Sequence, residues 1–120
     1  MAYSDPQTVT IDSVANSLAR TATGANTGAF TLNDGSIQLS VAHTYGKRTR
    51  RTARITHKKI VSDPLLPSTN VPVSMSFYVV ADVPVQGYSV DEIQKIITGF
   101  TTWMTASSGA NITKLLGGEI

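Results

Sequence analysis

The chain has 120 residues, of which 41% are apolar and 15% are charged, and its formal net charge is +2. This balance is typical of one folded domain, taken here as residues 1–120, and excludes a largely disordered chain. The absence of cysteine excludes disulfides and thiolate metal sites, and no apolar segment approaches the ~20 residues needed to cross a bilayer.

The N-terminal part of the chain is predicted to form short strands. Residues 1–6 lack the basic start and apolar run of a signal peptide, which favours a soluble protein made in the cytosol. The strands are indicated by alternation or by flanking turn signals, and cover residues 7–12, 14–21 and 30–32. Turns are predicted at Asp12-Ser13 and at Asn33-Asp34-Gly35, and residues 23–28 have the composition of a loop.

The middle of the chain is predicted to be a β-hairpin that carries most of the positive charge. Residues 36–45 alternate cleanly, Tyr45-Gly46-Lys47 is the predicted reversal, and a basic strand follows. Residues 47–59 hold seven of the ten Lys and Arg residues. One face of this strand carries Ala53 and Ile55, and the opposite face is predicted to carry Arg50, Thr52, Arg54, Thr56 and Lys58. Alternation fails at residues 60–61, so a bulge within residues 57–60 is one interpretation.

A loop and the longest strand follow the hairpin. Residues 63–70 contain two prolines, which excludes a central strand there. Residues 71–85 alternate over their whole length, with valines, Met75 and Phe77 on one side. The opposite side of this strand is predicted to carry Ser74, Ser76, Tyr78, Val80 and Asp82.

After residue 88 the apolar period changes from 2 to 3.6, which predicts helix. Ser89 and Glu92 have the spacing of a capping box. An apolar stripe follows: Ile93, Ile96, Ile97, Phe100 and Met104. Trp103 lies beside this stripe, where a core position and a partner contact are both consistent with the sequence. Residues 107–109 are predicted to break the helix, and Asn111 to cap a short second helix that ends at Leu115-Leu116.

Strands followed by helices indicate an α+β fold, with the helices on one face of an antiparallel sheet. A terminal helix as short as the second one cannot be stable alone in water. It needs a surface to pack on, and a second copy of the chain is one source of that surface.

The sequence gives poor support for catalysis. Its two histidines, His43 and His57, lie on predicted strands and have no metal-ligand spacing. No serine has the context of a nucleophile elbow, and no glycine-rich loop leads into a helix. We therefore expect no enzyme activity, no catalytic residues, no metal, no cofactor and no small-molecule substrate.

Nucleic acid binding is better supported. The neighbouring strands place basic, hydroxyl and amide side chains and one aromatic ring on a common face, a combination that contacts phosphate and stacks unpaired bases. An ordinary solvated sheet face is the alternative. The predicted RNA-binding residues are Gln38, Ser40, Arg50, Thr52, Arg54, Thr56, Lys58, Ser76 and Tyr78.

The order of these features resembles the coat proteins of single-stranded RNA bacteriophages (levivirus-type) over essentially the full chain. The segments that carry the resemblance are Thr8-Val9-Thr10-Ile11, Ile37-Gln38-Leu39-Ser40-Val41 with the basic strand after it, Tyr88-Ser89-Val90-Asp91-Glu92 and Ile112-Thr113-Lys114-Leu115-Leu116-Gly117. The resemblance implies an N-terminal β-hairpin, a five-stranded antiparallel sheet and two C-terminal helices. It also implies interlocked dimers with a continuous ten-stranded sheet, which assemble into an icosahedral capsid around the RNA genome. In many members of the family the inner sheet face also binds an RNA hairpin and represses translation.

The resemblance also assigns roles to particular residues. Tyr78 matches a tyrosine that stacks on a hairpin base, and Ser40, Thr56 and a basic residue at Arg54 or Lys58 match the base-pocket and phosphate contacts. Val80 and Ala42 depart from polar or basic residues that relatives carry. The implied dimer interface comprises Ile93, Ile97, Phe100, Met104, Leu115 and Leu116. The implied loop between dimers comprises Pro64, Leu65, Leu66 and Pro67.

The resemblance places the protein in the virion, after synthesis in the bacterial host cytoplasm, with itself and RNA as partners and no membrane. A non-capsid dimeric regulator that binds nucleic acid through a β-ribbon is the alternative. Both share the basic hairpin and differ in how far the chain assembles.

Overall fold

The computed structural model describes residues 3–62, 64–66 and 68–120, and contains six strands followed by one helix. The strands are β1 (Gln7–Ile11), β2 (Val14–Thr23), β3 (Thr27–Thr31), β4 (Ile37–Thr44), β5 (Arg48–Ser62) and β6 (Asn70–Pro84), and the helix is α1 (Val90–Leu116). The chain divides into two compact units, residues 1–85 with the strands and residues 86–120 with the helix. The predicted order of elements is confirmed.

The strands form one antiparallel sheet in the order β1-β2-β3-β4-β5-β6, so each strand pairs with its neighbours in sequence. Strand β2 pairs with β1 through its first half and with β3 through its second half. The predicted N-terminal hairpin and the five strands β2–β6 are therefore parts of one six-stranded sheet.

Short turns join the first strands, as their residue types predict. Asp12 and Ser13 have positive φ values of 50° and 64°, which is the conformation that a two-residue hairpin turn requires. In the turn between β3 and β4, Gly35 has a φ of 77°. There the Ser36 backbone amide and hydroxyl donate to the Asp34 carboxylate and hold its pKa below the usual value. The predicted loop at residues 23–28 is shorter than expected, because β2 reaches Thr23 and β3 begins at Thr27.

The long strands β5 and β6 pair without interruption from Arg48 opposite Pro84 to Ser62 opposite Asn70. The bulge considered within residues 57–60 is therefore wrong. Ile60 stays in phase and remains 71% exposed near the strand end, so the break in alternation is an apolar residue on the polar side. The sheet has its irregularity elsewhere, where the register between β2 and β3 shifts between Arg20 and Ala22.

The core of the strand unit lies over β2, β3 and β4. Leu18, Phe30 and Ile37 form its buried centre, and Leu18 is completely inaccessible to solvent. Partly buried side chains of Val9, Leu32, Leu39 and Ile55 pack around them. The sheet curls, and so apolar side chains from several strands enclose this cluster. Burial of each large apolar side chain stabilises the fold by about 1.5–3 kcal/mol.

Helix α1 begins as predicted. Ser89 is its N-cap, and its hydroxyl accepts a hydrogen bond from the Glu92 backbone amide at 3.2 Å. The predicted break is also present, because residues 106–109 have non-helical dihedrals and Ser107, Ser108 and Gly109 are left-handed. Two helical segments therefore lie within one helix.

The expected role of Asn111 is wrong. Its side-chain amide donates to the Trp103 carbonyl at 2.7 Å, and so it satisfies the end of the first helical segment instead of starting the second. An asparagine amide supplies donors as well as an acceptor, which allows this reversal of roles.

Candidate nucleic-acid interface

The register of β4, β5 and β6 brings the predicted RNA-binding residues onto one face of the sheet. Residues directly opposite each other on antiparallel strands share a face, so the pairings define rows across it. Three rows run across the strands: Gln38, Thr56 and Ser76; Ser40, Arg54 and Tyr78; Ala42, Thr52 and Val80. Two more positions extend this surface, with Arg50 opposite Asp82 and Lys58 opposite Ser74. We call this surface the polar face.

The central row contains the most specific arrangement. The Arg54 guanidinium carbon lies 4.6 Å from the centre of the Tyr78 ring, within the distance at which a cation is attracted to an aromatic face. Both side chains are exposed, and Tyr78 retains 52% of its accessible surface. A planar cation and a planar ring are thereby held together, at a place where a base or a phosphate can reach either one.

The positive charge of the polar face is uneven. Arg48 forms an ion pair with Asp82, in which the Arg48 Nε donates to the Asp82 Oδ1 at 3.0 Å. Asp82 also lies directly opposite Arg50. Arg54 and Lys58 face a tyrosine and a serine instead, so the half of β5 beyond Arg50 has no acid opposite its cations.

The two histidines lie on the opposite face of the strands, which we call the apolar face. His57 is half-buried between Ile37 and Met75, which places it among apolar side chains and away from the predicted RNA-binding residues. His43 lies opposite Arg51, whose Nη1 is 3.2 Å from the His43 Nδ1. The Arg51 Nη1 also donates to the Tyr45 hydroxyl at 3.4 Å. Of the arginines near the reversal, Arg51 therefore points away from the polar face.

The apolar face of β6 is not covered within the unit that contains it. Val73, Met75, Phe77 and Val79 are all exposed, and Phe77 retains 43% of its accessible surface. A groove of about 550 Å³ lies at one end of this face, lined by Ile11, Ile55, His57, Lys59, Val73, Ser74 and Met75. Exposed apolar area of this kind is typical of a surface that another element or chain covers.

The helix unit also exposes its apolar stripe. No residue of α1 is buried, and Phe100 retains 58% of its accessible surface while it stacks on Trp103 at 5.7 Å. The other predicted interface residues are exposed or half-buried: Ile93, Ile97, Met104, Leu115 and Leu116. A methyl group added at Gly99, next to Phe100, would meet no atom within 4 Å.

The loop predicted to lie between dimers is described in part. Leu65 and Leu66 are both exposed, and the Thr69 backbone amide donates to the Leu66 carbonyl at 2.8 Å. Pro64 is exposed as well, while Pro67 lies outside the described residues. The role of this loop between dimers stays a prediction.

Metal sites and membrane-spanning helices are both absent from the described residues. Among the residues that the structure describes, no group of three or more His, Asp or Glu side chains is placed to hold a metal ion. Within the same ranges, no helix is long and apolar enough to cross a membrane.

Sequence reasoning missed the ion pair between Arg48 and Asp82. Alternation places Asp82 on the polar side of the long strand, but only the register shows which arginines it meets. The same register brings Arg54 over Tyr78. Both contacts follow from the register between β5 and β6. The sequence does not determine this register, because the loop that joins the two strands is several residues long.

Comparisons with known proteins give a consistent result at the level of fold. No protein-family model matches the sequence, and no curated protein sequence matches it. Solved structures do match. The chain is similar to the bacteriophage EMS014 coat protein, with a TM-score of 0.78, 9% identity and 99% of each chain covered. It is similar to the virus-like particle protein of bacteriophage AVE019, with a TM-score of 0.77, 13% identity, and 88% of this chain and 90% of that chain covered.

The capsid protein of bacteriophage GA is a third similar structure, with a TM-score of 0.60, 9% identity, and 91% of this chain and 88% of that chain covered. The resemblance to RNA-phage coat proteins is therefore confirmed in three dimensions. At these identities the likeness establishes the fold.

Proposed function

We propose that this chain, which has the coat-protein fold, is a structural virion protein that assembles into an icosahedral shell around single-stranded RNA. One observation carries the proposal: the sheet has a basic, polar face on one side and an exposed apolar face on the other. A coat protein needs both, because one surface must bind the genome and the other must bury apolar area on assembly. In this proposal the chain acts in the virion, after synthesis in the host cytoplasm, and not as an enzyme.

The proposed building block is an interlocked dimer. Strand β6 is the last strand of the sheet, so one of its edges has no strand partner among the residues that the structure describes. An edge of fifteen residues is a strong template for pairing with another strand, and pairing with the same strand of a second copy gives a symmetric interface. Each of the two copies would then contribute its strands β2–β6 to the ten-stranded sheet, and strand β1 is not counted in it.

The helices supply the second part of the proposed interface. The exposed stripe around Phe100 on α1 and the exposed Phe77 and Val79 on β6 are apolar surfaces of complementary kind. In the interlocked dimer the helix of each chain packs across the apolar face of its partner. This arrangement would bury the stripe residues and the groove beside Met75, and it explains why neither surface is buried in a single chain.

The polar face is the proposed RNA-binding surface. Arg54 and Lys58 can bind phosphate, Tyr78 can stack an unpaired base, and Ser40 and Thr56 lie on the same face with hydroxyls that can hydrogen-bond a base edge or sugar. We extend the proposal to an RNA hairpin whose binding represses translation. Val80 and Ala42 form the neighbouring row and offer no side-chain hydrogen bond, so specificity would come from the central rows.

Expression of the chain alone tests the proposal. We expect closed icosahedral particles in electron micrographs, and an ultraviolet absorbance spectrum with a nucleic acid contribution that resists nuclease until the particles are opened. RNA-free or unassembled protein would contradict the proposal. Small dimers that bind nucleic acid without forming particles would favour the β-ribbon regulator.

Replacing Arg54 with alanine is expected to weaken binding of single-stranded RNA and to make the slope of log K against log salt shallower by about 0.7, which corresponds to one phosphate contact. The measurement is fluorescence anisotropy of a labelled oligouridylate at several salt concentrations. Arg51→Ala is the matched control, since it removes the same charge from the same strand on the opposite face. Equal losses in both variants would contradict the assignment of faces.

A further inference from the structure

A single carboxylate interrupts the positive charge of the polar face. Strands β4, β5 and β6 contain four arginines, two lysines and only one acidic residue, Asp82. Asp82 stands on β6 directly opposite Arg50, with Arg48 diagonal to it. Its position on the RNA-binding side calls for a function, because an acid there opposes the attraction of phosphate.

The contacts of Asp82 engage the beginning of β5. The Arg48 Nε donates to the Asp82 Oδ1 at 3.0 Å, and the Arg48 Nη2 donates to the Asp82 backbone carbonyl at 3.4 Å. The two side chains remain 57% and 42% exposed, so the pair lies at the surface where RNA would pass. A phosphate that approached Arg48 would have to displace the carboxylate and would be repelled by it.

The other half of β5 has no such competitor. Arg54 lies opposite Tyr78 and Lys58 lies opposite Ser74, neither of which carries a negative charge. The Arg54 guanidinium carbon lies 4.6 Å from the centre of the Tyr78 ring, and this cation–π attraction uses none of the five N–H donors that a guanidinium can offer to phosphate. The two halves of β5 therefore differ in how strongly they can attract a polyanion, because only the first half has a carboxylate opposite its cations.

From this asymmetry we infer that Asp82 is a specificity-determining residue, which neutralises the Arg48–Arg50 half of the polar face and confines phosphate binding to the Arg54–Lys58 half. The inference rests on the proposed function, because it presumes that the polar face binds RNA. Its consequence is a limited number of phosphate contacts per chain. Nonspecific binding to phosphate is thereby weakened, while the contribution of the contacts around Tyr78 to RNA affinity is unchanged.

Replacing Asp82 with asparagine tests the inference. The variant is expected to bind a labelled oligouridylate several-fold more tightly, with a slope of log K against log salt steeper by about 0.7 to 1.4, which corresponds to one or two added phosphate contacts. Asp91→Asn is the matched control, because Asp91 also forms an exposed 3.0 Å ion pair, with Lys95, but lies on the helix. In the double variant Asp82→Asn/Arg48→Gln, the slope is expected to be shallower by about 0.7 than in Asp82→Asn alone, because one phosphate contact is lost again.

The outcomes separate the inference from the proposed function. A steeper slope in Asp82→Asn, with Asp91→Asn like the unmodified chain, supports the inference. If Arg54→Ala weakens binding while Asp82→Asn behaves like its control, the polar face binds RNA and the inference is wrong. If neither the unmodified chain nor Asp82→Asn binds RNA, the proposed function fails and the inference fails with it. Thermal melting of each variant verifies that the chains are folded. Little change in melting temperature is expected, because an exposed ion pair contributes little to stability.

Discussion

Replacing Phe100 with aspartate is expected to raise the dissociation constant of the proposed dimer by about 100-fold or more, and so to prevent shells from forming. The Phe100 ring is more than half exposed in the single chain, where it touches Trp103. A charge placed there costs little in a monomer. In the proposed interlocked dimer the same position would be buried against the partner, where a lost aromatic ring and an unpaired carboxylate would both oppose association.

The matched control is Thr98→Asp, which introduces the same charge two residues earlier. Thr98 is exposed on the side of the helix away from the apolar stripe, so the control is expected to assemble normally. Sedimentation velocity gives the oligomeric state, and electron microscopy shows whether particles form. Normal assembly of Phe100→Asp would remove the stripe from the interface. Equal disruption by both variants would indicate a general effect of charge on the helix.

Replacing Tyr78 with alanine is expected to weaken hairpin or single-stranded RNA binding by ~1–3 kcal/mol, the cost of losing one stacked base. This corresponds to roughly a 5-fold to 150-fold loss of affinity. The salt dependence is expected to stay unchanged, because the tyrosine contributes no phosphate contact. Tyr78→Ala and Arg54→Ala therefore have different signatures, even though the two side chains touch.

Two further variants define what Tyr78 contributes. Tyr78→Phe keeps the ring and is expected to retain most of the affinity, whereas Tyr88→Ala removes an equally exposed ring outside the sheet and is expected to have no effect. Anisotropy titrations under the same conditions compare all of them. Full binding by Tyr78→Ala would exclude stacking at this position. A loss in Tyr78→Phe as large as in Tyr78→Ala would assign the effect to the hydroxyl.

The facing of the side chains on β5 and β6 could be predicted from the sequence, because alternation is a local property of an extended chain. Alternation alone places Arg54 and Thr56 on one side of β5 and Ile55 on the other, and the pairings confirm this facing. The helix start at Ser89 was equally local, since a cap and its partner amide are three residues apart.

Contacts between strands depend on register, which alternation does not determine. A shift of two residues keeps every side chain on its face but changes each cross-strand partner, and so the meeting of Arg48 with Asp82 was not predictable. The location of the core was hidden for a different reason. Alternation gives β6 an apolar side as it does for other strands, yet Leu18 and Phe30 are buried while Phe77 is exposed, because burial depends on which elements pack over each strand.

The unpaired edge of β6 has a consequence for how the protein is made. Among the described residues, this edge strand of fifteen residues has no strand partner and lies beside exposed apolar side chains, a combination that favours aggregation. In the proposed assembly the remedy is another copy of the same chain. Correct maturation then becomes a bimolecular process, whose rate rises with the concentration of newly translated chains. Its yield depends on whether two copies dimerise before they aggregate with other molecules.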